Sequence, residues 1–150
     1  KAMTDVELEA LERVEPTPYA HDALEALRGR GLGIGIATRS CNSYAIRSLE
    51  LTGLAGYVNV LLARDDVEHP KPDPHHLLQV VVALGATPRN VVYVGDTTTD
   101  LKTAEEAGVA FIGFLSDDEW GRRLRKAGCD LLVDDLRMIP NLIQRSLARG

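Results

Sequence analysis

The segment Val91-Val92-Tyr93-Val94-Gly95-Asp96-Thr97-Thr98-Thr99-Asp100 constrains the fold of this chain more than any other stretch. Its first four residues are apolar and rich in β-branched side chains, the pattern of a strand buried on both faces of a parallel sheet. Gly95 ends the strand and leaves Asp96 just beyond its carboxyl end, where open α/β sheets hold their ligands. Leu101, Ala104 and Ala107 then recur at helical spacing until Gly108 stops the helix. Asp96 and Asp100 stand four apart, so in a helical turn both carboxylates lean toward one spot. Two converging like charges need compensation by a cation or a helix N-terminus. Hard oxygen ligands with room for water suit Mg²⁺. The plainer alternative stays open: Asp96 caps the helix and Asp100 is a solvated acid of its first turn.

The flanking sequence repeats the strand-then-helix pattern. Residues 32–38 form a short apolar strand whose Gly33 and Gly35 allow a helix to pack closely. Ser40 can cap the helix that follows, which carries Tyr44, Ile46, Leu49 and Leu51. Residues 57–62 read as the next strand, and Asp73 caps a helix that opens on Pro74 and carries Leu77, Leu78, Val81 and Leu84. A strand at 109–115, a helix at 117–127, an edge strand at 131–133 and a final helix from about residue 137 complete the series. Upstream, Thr17 can cap a helix with Pro18 at its first position, and Thr4-Asp5-Val6-Glu7 matches a capping box for a polar helix over 4–14. This alternation predicts a doubly wound, Rossmann-like parallel sheet in a three-layer α/β/α arrangement. The division expected is a residual cap or linker helix at 1–15 and one α/β core domain over 16–150.

The totals narrow the function. A chain of 150 residues is long enough for one real core. A net charge of −5 supplies no basic excess to displace phosphate counterions, which argues against a general nucleic-acid partner. No apolar run reaches membrane-spanning length. Cys41 and Cys129 lack metal-ligand spacing, so reduced thiols in a cytoplasmic protein are the expectation. Arg122, Arg123, Arg125 and Lys126 follow Asp117, Asp118 and Glu119, which suggests helical ion pairs. His75 and His76 open a helix far from any cysteine and read as surface histidines.

Three features share the sheet's carboxyl edge. Thr38-Arg39-Ser40 offers a hydroxyl and backbone N–H groups at a helix start, a candidate phosphate cradle, or only caps. Arg39 could also reach an anionic group of a substrate, or be a solvated arginine. Lys71 lies in His69-Pro70-Lys71-Pro72-Asp73-Pro74, where it is either a solvated loop residue or an ammonium aimed at an anion, the three prolines fixing the backbone and lowering the entropy of aiming it. Asp96 and Asp100 are the third feature. A cation site, a fixed ammonium and a hydroxyl-amide cradle are the parts needed to hold and polarise a phosphoryl group.

The order Thr38, then Lys71 within its proline loop, then Gly95-Asp96 through Asp100, resembles the haloacid dehalogenase superfamily. The resemblance is strongest to its phosphoglycolate-phosphatase-like members with a helical cap, and it runs from about residue 16 to the end. It implies a Mg²⁺-dependent phosphatase acting on small phosphorylated molecules through an aspartyl-phosphate. Thr38 would hydrogen-bond the transferring phosphoryl group, Lys71 would neutralise it, Asp96 would ligate the metal and Asp100 would hold the metal's shell. Arg39 and Ser40 would help bind the phosphate. One departure stands out. The family's nucleophile belongs to a D-x-D pattern ending the first, central strand, and nothing before Thr38 qualifies, since Asp5 and Asp22 lie in helical context. The chain by itself is therefore expected to turn over little or no substrate, and the strands around Ile34 and Val92 to face a gap. An upstream segment, direct pairing of those strands, or self-association would fill it. The alternatives are a non-catalytic phosphate- or metal-binding relative, or a phosphomutase or dehalogenase of the same family.

Overall fold

Period-two alternation along one strand organises the molecule. The computed structural model describes residues 17–148, with side chains as far as residue 143. Its elements are α1 (Ala20–Gly29), β1 (Gly35–Ala37), α2 (Asn42–Leu51), β2 (Val60–Leu62), α3 (Pro74–Ala83), β3 (Val92–Gly95), α4 (Thr98–Ala107), β4 (Ala110–Phe114), α5 (Asp118–Lys126), β5 (Leu132–Val133) and α6 (Ile139–Ala148). Val92 and Val94 of β3 pack into a core with Leu27 of α1, Ile112 of β4, and Ile139 and Ile143 of α6. Val91 and Tyr93 pack on the other side with Leu77 and Val81 of α3 and Ala104 and Ala107 of α4. Helices thus cover both faces of parallel strands, as the alternation predicts.

The parallel strands fall into two groups among the described residues. β1 pairs with β2, in register Gly35 to Val60, and β3 pairs with β4, which pairs with β5. No described strand occupies the remaining edge of β1 or of β3. Both edges line one cavity of about 530 Å³, together with Leu24 and Leu27 of α1 and Leu77 and Val80 of α3. The expected gap is therefore present, and β1 and β3 do not close it by pairing directly. It also corrects the reading of β3 as fully buried: every residue of β3 is half-buried, whereas Ile112 of β4, flanked by strands on both sides, is 0% exposed.

Gly35 has the reason expected of it. A Cβ there would lie 2.5 Å from Val80 Cγ1 and 3.1 Å from Leu84 Cδ1, so α3 can reach β1 only because the side chain is missing. Local boundaries differ from the sequence reading. The strand at 57–62 shortens to Val60–Leu62 behind a 3₁₀ turn over Ala55–Tyr57, and that at 32–38 to Gly35–Ala37. Tyr19, not Thr17, is at the N-cap position of α1, and Thr17 C=O accepts Ala20 N–H in a turn that precedes the helix. Cys41, not Ser40, precedes α2. The predicted helix at 4–14, and with it the proposed 1–15 segment, lies outside the described residues.

Candidate functional site

Asp96 and Asp100 sit at the carboxyl end of β3 but have different surroundings. Thr97 is the N-cap of α4: its Oγ1 accepts from Asp100 N–H at 3.2 Å and donates to Asp100 Oδ2 at 3.0 Å. Asp100 Oδ2 also accepts the Asp96 backbone N–H at 3.3 Å. Its other oxygen, Oδ1, accepts from the Tyr93 hydroxyl at 3.1 Å and from Lys71 Nζ at 3.4 Å. Asp100 therefore buttresses the loop with both oxygens engaged. The Asp96 carboxylate has no hydrogen-bond or ion-pair partner among the described residues and lines the cavity. Neither plain alternative describes this arrangement: Asp96 is not the cap, and the Asp100 side chain is only 14% exposed.

Lys71 enters the same cavity from the loop before α3. Its ammonium lies 2.6 Å from the Tyr93 hydroxyl, 3.4 Å from Asp100 Oδ1 and 5.4 Å from the centre of the Tyr93 ring. Burial, reinforced by Asp100, pushes the Tyr93 pKa up, so the hydroxyl keeps its proton for Asp100 while accepting from Lys71. Asp73 caps α3 as predicted, accepting from His75 N–H at 2.8 Å, and the Lys71–Pro72 peptide bond is cis.

The backbone of Lys71 is held by a residue the sequence reading misplaced. His76 is completely buried and is no surface histidine. It lies on the same helical face as Leu77, Val80 and Val81, which turns it into the core. Its Nδ1 accepts Lys71 N–H at 3.0 Å, and its Nε2 meets Leu62 C=O at 2.7 Å. Leu62 C=O also accepts Thr38 N–H at 3.2 Å. One carbonyl at the end of β2 thus ties the Thr38 loop to the Lys71 loop.

The remaining predicted residues sit beside this centre. Thr38 follows Ala37, which lines the cavity, and its Oγ1 accepts Ser40 N–H at 3.1 Å, leaving the hydroxyl hydrogen available. Ser40 C=O accepts Arg64 N–H, and the exposed Arg39 gives its carbonyl to Arg64 Nη1 at 3.3 Å. Asp65 Oδ1 takes Asn42 N–H and Asp66 Oδ2 takes Asn42 Nδ2, each at 2.8 Å, so the loops after β1 and β2 are bound to one another. Lys71, Asp96 and Asp100 share the cavity wall; Thr38, Arg39 and Ser40 stand on the adjoining loop. Tyr93 was missed, although a lone hydroxyl in a run of valines signals a polar partner.

The donor set suits a hard cation held largely by water and substrate oxygens. Asp96 offers an unengaged carboxylate at the cavity mouth, and Mg²⁺ is commonly bound through one or two carboxylates. Asp100, already committed to Lys71, Tyr93 and Thr97, orients that loop. No cluster of three or more acidic, histidine or cysteine ligands occurs among the described residues, and Cys41 and the histidines take no part.

A parallel α/β/α fold with polar side chains gathered at the carboxyl edge of its strands defines a Rossmann-like protein, here with a cavity that those side chains reach. The profile of the haloacid dehalogenase-like hydrolase family matches residues 1–114, and the chain belongs to that family. Phosphoglycolate phosphatase of Salmonella paratyphi A is 32% identical over 126 residues, covering 83% of this chain and 50% of that protein. The chain thus spans about half the length of the curated relatives it matches. Among solved structures, a candidate β-phosphoglucomutase from Thermotoga maritima superposes with a TM-score of 0.80 at 27% identity, over 91% of this chain and 63% of the other. A HAD phosphatase from Thermococcus onnurineus gives 0.79 at 26% identity, over 93% and 63%.

Proposed function

We propose that this chain forms the phosphoryl- and Mg²⁺-holding part of a phosphatase that hydrolyses small phosphate monoesters. The attacking carboxylate comes on a D-x-D strand seated between β1 and β3. The observation carrying this reading is the cavity itself: two open parallel edges face one another, and Lys71 and Asp96 stand at its carboxyl end. A parallel strand between those edges would satisfy both ladders and cover their apolar walls. Its first aspartate would emerge beside Lys71.

In the assembled site, that aspartate attacks phosphorus and the ester P–O bond breaks. The second aspartate of the pattern gives its proton to the leaving oxygen, and water then hydrolyses the acyl phosphate, releasing inorganic phosphate and restoring the carboxylate. Lys71 places positive charge against the phosphoryl oxygens. Thr38 donates its free hydroxyl hydrogen to one of them, and Ser40 and Arg39 line the approach. Asp96 would hold Mg²⁺, which when bound would supply positive charge between nucleophile and phosphoryl group; Asp100 keeps the Asp96 loop and Lys71 in place.

The test is hydrolysis of p-nitrophenyl phosphate by the full-length protein. Asp96→Asn is expected to abolish Mg²⁺-stimulated turnover with the melting temperature nearly unchanged. Lys71→Met is expected to lower kcat by about 10²–10³, the usual effect of removing one preorganised charge stabiliser. Near wild-type turnover in either variant removes that residue from the mechanism. Phosphate binding without turnover by the full-length protein would instead favour a non-catalytic relative.

A further inference from the structure

We infer that Tyr93 is a positioning residue whose hydroxyl fixes the Lys71 ammonium in the pocket; this rests on the phosphoryl-site reading above. Among the described residues Lys71 Nζ has two polar neighbours, and the closer is the phenol, at 2.6 Å against 3.4 Å for Asp100 Oδ1. The hydroxyl rather than the carboxylate therefore sets where the ammonium rests. A carboxylate alone would attract the charge from many directions, whereas the phenol offers one oxygen on a rigid ring. That ring is itself fixed: its edge meets Phe111 with centroids 6.1 Å apart, and its hydroxyl hydrogen goes to Asp100 at 3.1 Å. The ammonium has three donors and spends two on Tyr93 and Asp100, which leaves the third for an anion in the cavity that Lys71 lines.

This arrangement divides the work between the two partners. Asp100 balances charge; Tyr93 supplies direction. A lysine stem has four rotatable bonds, so an unanchored ammonium samples many positions, and anchoring it beforehand removes that entropy from the chemical step.

Tyr93→Phe isolates the hydroxyl, because Phe keeps the ring contact with Phe111 and the ring beneath the ammonium. Two measurements test the inference. In the 150-residue chain, hydrogen exchange of the Lys71 ammonium, followed by ¹⁵N-lysine NMR with the exposed Lys102 as reference, is expected to accelerate at least fivefold in Tyr93→Phe. In the full-length protein, the same substitution is expected to lower kcat for p-nitrophenyl phosphate at least tenfold with KM within twofold, and to cause no further loss in a Lys71→Met background. An unchanged exchange rate, an unchanged kcat, or a full additional loss in the Lys71→Met background overturns it. If the wild-type full-length protein hydrolyses no phosphate ester, the phosphatase reading fails, and the exchange rate alone decides whether Tyr93 anchors Lys71.

Discussion

His76 shows how a single buried side chain can carry the geometry of a site through backbone contacts alone. Lys71 N–H can only donate and Leu62 C=O can only accept, so the ring between them must be neutral, with its proton on Nε2. Burial is the main force pushing the His76 pKa below its ordinary 6.5, against the opposing pull of the Leu62 carbonyl. Between the depressed folded value and 6.5, the unfolded chain binds a proton that the folded chain refuses. Stability is then complete above about pH 6.5 and falls as the solution is acidified below it. Urea midpoints measured from pH 8 down to pH 5 are expected to decline, and His76→Gln should flatten that decline while costing about 1–3 kcal/mol at pH 8 for the buried partner left unmatched. Gly95 is equally exacting: a Cβ there would lie 2.5 Å from Asp100 Cβ and 2.7 Å from Oδ2. Gly95→Ala is expected to destabilise the fold by roughly 1–3 kcal/mol, read by denaturation, because it pushes the Asp100 carboxylate off its four partners.

Helix starts show which local signals can be trusted. Asp73 and Asp117 cap α3 and α5 through their own side chains, accepting from His75 N–H and Trp120 N–H at 2.8 Å each; the first is the cap expected from sequence, while Asp117, expected to open its helix, stands one residue before it as the cap. The pairing of Arg123 with Glu119 one turn apart on α5 is legible too. Ser40 looks equally suitable yet does not cap α2. The Thr38 hydroxyl takes the Ser40 N–H, and the first helical N–H, from Asn42, goes to Asp65 after β2. That cap comes from 23 residues away, beyond any local rule. The α4 cap is local but serves the site as well, since the Thr97 hydroxyl also donates to Asp100. Thr97→Ala and Asp117→Ala are each expected to cost about 1 kcal/mol in thermal melts. Only the first should also reduce phosphatase turnover in the full-length protein.

At the scale of the whole molecule, the two groups of strands make a specific demand on solution behaviour. Along β1, Thr38 N–H points to Leu62 of β2, so by alternation Gly35 and Ala37 direct their N–H groups into the cavity. In the isolated chain, those two amides are expected to exchange rapidly while Ile36 and Thr38 are protected, and a strand seated in the cavity should protect all four; hydrogen exchange by NMR reads both states. Self-association that fills the cavity would appear as a concentration-dependent mass above 16.3 kDa in light scattering. The sequence by itself determined the strand-helix order, the two covered faces, the proline-braced Lys71 loop and the Asp96 turn. Hydrophobic period, glycine stops and most caps act within a few residues, and all are written locally. Only the tertiary structure decided that Tyr93 meets Lys71 across 22 positions, that His76 is buried against Leu62 across 14, and that β1 and β3 leave the expected gap open instead of pairing directly. Those contacts depend on which elements become neighbours: a lone tyrosine hydroxyl signals that it needs a polar partner, but nothing local says which one packing will bring to it.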